Sequence, residues 1–94
     1  MATKDRRLVV VTWLDIVGHE RPWYEPEEAQ GLRPAEITSL GILIDEKEDY
    51  IIVAGSWEDD GCLLGNVSCI PRGVVRELRS LGNTASLAET ANPD

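Results

Sequence analysis

The sequence contains no phenylalanine, one histidine, one methionine and two cysteines among 94 residues. These shortages remove several chemistries at once. A tetrahedral zinc site takes four nitrogen or sulfur ligands, and His19, Cys62 and Cys69 are too few to supply it. Six residues separate the two cysteines, whereas a redox pair has two between its sulfurs. In a cytosolic setting a disulfide is disfavoured, so both cysteines read as small buried apolar groups. No apolar run approaches the roughly 18 residues of a membrane span. The opening "MATKDRR" has charges but no apolar stretch behind them, which points to a cytoplasmic protein. Positive charge is scarce too, with 9 basic against 17 acidic residues and a net charge of −8. That balance disfavours sequence-independent binding to nucleic acid or to an anionic membrane. There is no G-x-S-x-G elbow, phosphate-binding loop or dinucleotide fingerprint. The expectation is a protein that is not an enzyme and holds no cofactor or metal.

What is present is β-forming. A chain of this length is one domain and buries roughly 60 to 65% of its unfolded surface, enough for a single core. The run "LVVVTWLDIVG" over residues 8–18 is β-branched, aromatic and closed by glycine, and so predicts a strand. Alternation places Val9, Val11, Trp13 and Asp15 on one side and Leu8, Val10, Thr12, Leu14 and Ile16 on the other. Both faces are largely apolar, so the strand is central or covered. The candidate cover is "HERPWYEPEEAQGLRPAE" over residues 19–36, whose three prolines forbid a continuous strand or long helix. Within it, Pro26 followed by acids and closed by Gly31 fits one or two helical turns. Trp23 or Tyr24 is expected to fold back over the first strand.

Two further strands, residues 37–44 and 50–57, flank the charged connection "DEKED". Gly41 inside the first of them marks a bulge or bend that lets a small sheet curl. After "EDDG" comes "CLLGNVSCI", another short strand. The next stretch, "PRGVVREL", reads either as a 3₁₀ turn leading to a last strand or as a helix beginning at Pro71. Gly73 and the β-branched pair Val74 and Val75 favour the turn and strand. The expected architecture is therefore mostly β, a small five-stranded SH3-like or Sm-like barrel with a Pro- and Glu-rich insert holding at most a short helix. Residues 1–7 are expected to fray, residues 8–81 to form the single barrel domain, and residues 82–94, "GNTASLAETANPD", to be a disordered tail.

Three short signatures, Thr12-Trp13, Ser39-Leu40-Gly41 and Ile70-Pro71-Arg72-Gly73, lie within this pattern. With the tryptophan-bearing insert "RPWYEPEE", they make residues 8–81 resemble a group of short, acidic proteins encoded by bacteriophages and prophages. The resemblance implies a small β-barrel and a viral setting, and it carries over no catalytic residue. The long insert, residues 23–34, is where this chain departs from that group.

The acids Asp45, Glu46, Glu48 and Asp49 lack the alternating spacing and distal glutamate of a calcium loop, and Glu58, Asp59 and Asp60 read as turn residues. Asp15, set in an apolar strand, is the one carboxylate whose surroundings suggest acid or base work, with Arg72 or Arg76 as partner. A structural ion pair is the simpler role. Arg72, Arg76 and Arg79 gather in the last element, as an RNA-binding rim of an Sm-like ring would require. No aromatic stacking group lies near them in sequence.

The three tryptophans, Trp13, Trp23 and Trp57, exceed what one small core needs, and tryptophan often anchors interfaces. Trp57, beside Glu58, Asp59 and Asp60, is the expected exposed anchor, with Trp23 and Tyr24 as further contacts. An acidic rim around an aromatic centre suits a basic partner surface. The expected function is contact: self-association, or occlusion of a host protein in the host cytoplasm. The alternatives are an oligomeric Sm-like ring whose Arg72, Arg76 and Arg79 hold RNA or a nucleotide, and a virion or assembly component.

Overall fold

A computed structural model describes residues 5–16, 18, 21–58 and 63–85. The chain runs β1 (Arg7–Asp15), α1 (Pro26–Gln30), β2 (Ala35–Glu46), β3 (Tyr50–Trp57), β4 (Leu64–Pro71), a 3₁₀ turn (Arg72–Val74) and β5 (Val75–Asn83). All five strands form one sheet in the order β4-β3-β2-β1-β5, and every neighbouring pair is antiparallel. This is the expected mostly β, barrel-like plan, with the 3₁₀ turn and strand in place of a helix after Pro71. The sheet curls but does not close. β4 and β5 lie at opposite edges, four inter-strand gaps apart, which in a flat sheet is about 19 Å. The three residues of the turn reach at most about 14 Å from Pro71 to Val75. The sheet must therefore bend to bring its edges together.

Curling puts one face inside. Val9, Val11 and Trp13 of β1 stand opposite Gly41, Ser39 and Ile37 of β2, and opposite Ser80, Leu78 and Val75 of β5. Ile51 of β3 pairs with Ile70 of β4. Val9, Val11, Ile51, Val53 and Ile70 form the buried core, with Trp13, Leu43, Val74, Val75 and Leu78 packed against it. β3 approaches β2 closely at Gly41, and the register between the two strands shifts further on, between Leu43 and Asp45. A Cβ at Gly41 would overlap the Ala54 carbonyl oxygen and come within 2.9 Å of Val53 Cγ1, so only glycine lets β3 cross this closely.

Several expectations need correction. The described N-terminal residues are not frayed up to residue 7, and the domain does not end at residue 81. Arg6 and Thr84 exchange two hydrogen bonds, from Arg6 N to Thr84 Oγ1 (3.0 Å) and from Thr84 N to Arg6 O (2.8 Å). The Asp5 carboxylate also accepts from Asn83 Nδ2 and Ala85 N, both at 3.1 Å. Cys69 is exposed rather than buried, because it lies on the face of β4 opposite Ile70. Cys62 is outside the described residues, as are residues 1–4 and 86–94.

The described part of the insert, residues 21–36, holds a short helix, yet it does not cover β1 through Trp23, which is 86% exposed. Glu28 accepts from Arg21 Nη2 at 2.8 Å and from Glu25 N at 3.2 Å, Gly31 N closes on Glu28 O at 3.1 Å, and Arg21 lies 4.1 Å over the half-buried Tyr24 ring. These local contacts close α1, none of whose residues is buried, and the indole stays outside.

Candidate functional site

Two apolar clefts open at opposite ends of β1. The first is set by a change of partners. The last β2–β3 pair is Ile42 with Ala54, after which Ser56 and Trp57 stay paired only with β4. A register shift between Leu8 and Val9 leaves Leu81 between the β5 partners Ser80 and Gly82. Such a bulge re-aims a side chain, and Gly82 beside it takes φ +109°. Leu8, Val9, Leu40, Trp57 and Leu81, over Gly41 and Gly55, thus line a cleft of about 280 Å³. Leu40 is 65% and Leu81 51% exposed.

Trp57 is half-buried in this wall and is not the protruding anchor the sequence suggested. Glu58 is exposed directly after it, its backbone N–H bonded to Leu63 O at 3.0 Å. Asp59 and Asp60 lie outside the described residues, as does His19.

The second cleft lies at the other end of β1. Leu14, Ile16, Leu32, Pro34 and Val74 enclose about 490 Å³, with Asp15 and Arg33 at its margin. An adjoining hollow shares Leu14, Arg33 and Pro34 and adds Glu36 and Arg76. Ile16, 93% exposed, has no packing partner across it. Asp15 is exposed and its Oδ1 accepts from Ile16 N at 2.8 Å. It is therefore an exposed acid at the end of its strand, bonded to its own backbone and without an ion pair among the described residues.

The three arginines of the last element do not form one patch. Arg72 is engaged in the turn: its Nε donates to Lys47 O at 3.0 Å, and its Nη2 lies 3.6 Å from Glu46 Oε1. Glu46 also faces Arg7 at 3.5 Å. Arg72 thus ties the 3₁₀ turn to the β2–β3 hairpin, and its backbone N–H adds a 2.8 Å bond to Asp49 O. Arg76 lines the hollow adjoining the second cleft, and Arg79 stands opposite Val10 on β1. No aromatic side chain lines the hollow that holds Arg76.

The acids at the β2–β3 connection are likewise solvated. Lys47 holds the Asp45 carboxyl below its ordinary range through a hydrogen bond and its charge, with the nitrogen 2.9 Å away. Among the described residues no group of three or more histidines, cysteines or acids is placed to hold a metal ion. Nor is any helix there long and apolar enough to cross a membrane.

Sequence reasoning missed Leu40, Leu81, Ile16, Leu32 and Arg33 as cleft residues. Leu40 carried a signal, since alternation from Ser39 and Gly41 puts it on the face away from the core. Leu81 carried none, because its direction follows from the bulge. Comparison with protein-family models, curated proteins and solved structures gives no match.

Proposed function

We propose that this is a non-enzymatic, phage-type binding protein that acts by contact, using the Trp57 cleft to engage a basic, partly apolar surface of a host protein in the host cytoplasm. The observation that carries this reading is the pair of exposed leucines, Leu40 and Leu81, flanking Trp57 in one cleft. Two exposed leucines around an indole leave apolar area that gains from being covered. Tryptophan in such a pocket is the residue type most often found to dominate binding. The sequence continues Glu58-Asp59-Asp60 from Trp57, and this acidic rim would steer a cationic partner and reject an acidic one.

The test is affinity capture from bacterial lysate on the immobilised full-length chain, with bound proteins identified by mass spectrometry. Wild type is expected to hold a defined partner that Trp57→Ala and Leu81→Asp both lose, while each variant keeps a cooperative thermal transition. Equal capture of the same partner by Leu81→Asp would overturn the reading. A second reading, an Sm-like ring holding RNA or a nucleotide, draws support from the two unpaired sheet edges, β4 and β5. Exposed edges are templates for pairing with another copy. Native mass spectrometry of gently purified protein separates the two: a closed ring carrying nucleotide favours the second, and a monomer or dimer with one host protein favours the first.

A further inference from the structure

The second cleft and the insert beside it are complementary to each other across two molecules. We propose that two copies associate about a two-fold axis, with Trp23 of each seated in the Leu14–Ile16–Leu32 cleft of the other. Trp23 is 86% exposed on a segment already fixed by the Arg21–Glu28 ion pair at 2.8 Å and the Arg21–Tyr24 stack. An ordered knob of this kind loses little conformational entropy on docking. The receiving cleft, about 490 Å³, falls within the roughly 300–1,000 Å³ of pockets that bury a small ligand. Its lining is apolar, and Ile16 and Leu32 are open to solvent.

Charge specifies the occupant. In a chain of net charge −8, this cleft and its adjoining hollow bring together Arg33 and Arg76, and neither makes an ion pair among the described residues. Asp15 and Glu36 stand beside them, so the formal charges of this rim balance, unlike those of the acidic chain as a whole, and the two guanidiniums are open to acids from another molecule. The knob carries the opposite sign. Trp23 is followed by Glu25, Glu27 and Glu28; Glu28 is held by Arg21, and Glu27 has no ion pair among the described residues. A tryptophan with acids two to five residues behind it matches an apolar cleft rimmed by arginines.

Knob and cleft belong to the same connection, with Trp23 and Leu32 nine residues apart. A two-fold axis beside that connection therefore makes both contacts together, as an isologous interface requires. The Trp57 cleft is at the far end of β1. Leu8 and Leu14 are six residues apart on one strand, about 20 Å, so the dimer leaves that cleft free.

Sedimentation velocity of the full-length chain over a concentration series tests the proposal. Wild type is expected to dimerise, and Trp23→Ala to raise the dimer dissociation constant at least about tenfold, with Tm unchanged when both proteins are compared as monomers in dilute solution, since the indole is 86% exposed. Arg33→Glu should weaken the dimer, and Arg33→Glu combined with Glu27→Arg should restore it. Leu81→Asp should leave it unchanged, which separates this proposal from the reading of the Trp57 cleft. A wild-type chain that stays monomeric, or a dimer or ring indifferent to both Trp23→Ala and Arg33→Glu, would overturn the proposal.

Discussion

The Trp13 indole Nε1 donates a 3.0 Å hydrogen bond to Ser39 Oγ, joining β1 to β2 across the inner face of the sheet. The two residues are diagonal neighbours, since Trp13 stands opposite Ile37 and Val11 opposite Ser39. The indole can therefore pack against the core while its one polar atom is satisfied. Removing the acceptor leaves a partly buried donor without a partner. Ser39→Ala is expected to cost about 1 kcal/mol, read as a fall in urea midpoint at unchanged slope. An unchanged midpoint would mean that water replaces the hydroxyl at no cost.

Gly41 and Gly73 make a matched pair of opposite sign. A side chain at Gly41 meets the Ala54 backbone, and a backbone atom in a paired strand has little room to yield. Gly41→Ala is expected to cost about 1–3 kcal/mol, or roughly 4–8 °C in Tm for each kcal/mol. Nothing lies within 4 Å of a Cβ at Gly73, and its φ is not positive. Gly73→Ala is expected to stabilise by about 0.4–1 kcal/mol through the unfolded chain. Calorimetry of the two variants should move Tm in opposite directions.

Glu46 joins two arginines, Arg7 and Arg72, that come from opposite ends of the chain. All three side chains are about half exposed, so solvent screens the attraction. A double-mutant cycle on Glu46→Gln and Arg72→Ala should give a coupling of about 0.2–1 kcal/mol, falling as salt is raised. Arg72→Ala alone should cost more than the coupling, because it also frees the Lys47 carbonyl that Arg72 Nε bonds. A coupling that survives 1 M salt would contradict the screened geometry.

Acid should loosen the insert before the sheet. The Arg21 hydrogen bond, followed by that from the Glu25 backbone, lowers the Glu28 carboxyl from its ordinary 4.5. A lowered folded value means that the folded state favours the charged form. The stabilisation is therefore complete above about pH 4.5 and is lost as pH falls through the folded value. In an NMR titration, the Glu25 amide and the Trp23 indole should shift together with a midpoint below the ordinary 4.5, and Glu28→Gln should abolish the shared step. A Glu28 midpoint at or above 4.5 would show that the Arg21 contact does not persist in solution.

Much of the fold is legible in the residues because its causes are local. The strand expected at residues 50–57 is β3, Tyr50–Trp57, since β-branched alternation between polar connections reports itself within a few residues. Pro71, Gly73 and the valine pair likewise read as a turn and strand, and Pro26 with Gly31 as a helical turn. The clefts were less legible. Trp57 looked exposed because acids follow it, yet it lies half-buried beside strands far away in sequence. Trp23 looked like a cover for β1, yet the capping and ion-pair contacts of its own loop hold it outward.

By itself the sequence determined the β class and the net negative charge, because each depends on composition or on alternation within one segment. Only the tertiary structure decided where apolar side chains remain uncovered. Leu81 faces the Trp57 cleft through a bulge against β1, and Arg76 shares a hollow with Leu14 and Pro34 because β1 pairs with β5 on one side and with the start of β2 on the other. Both follow from pairings between segments tens of residues apart, whose register is set by the packing of the whole sheet.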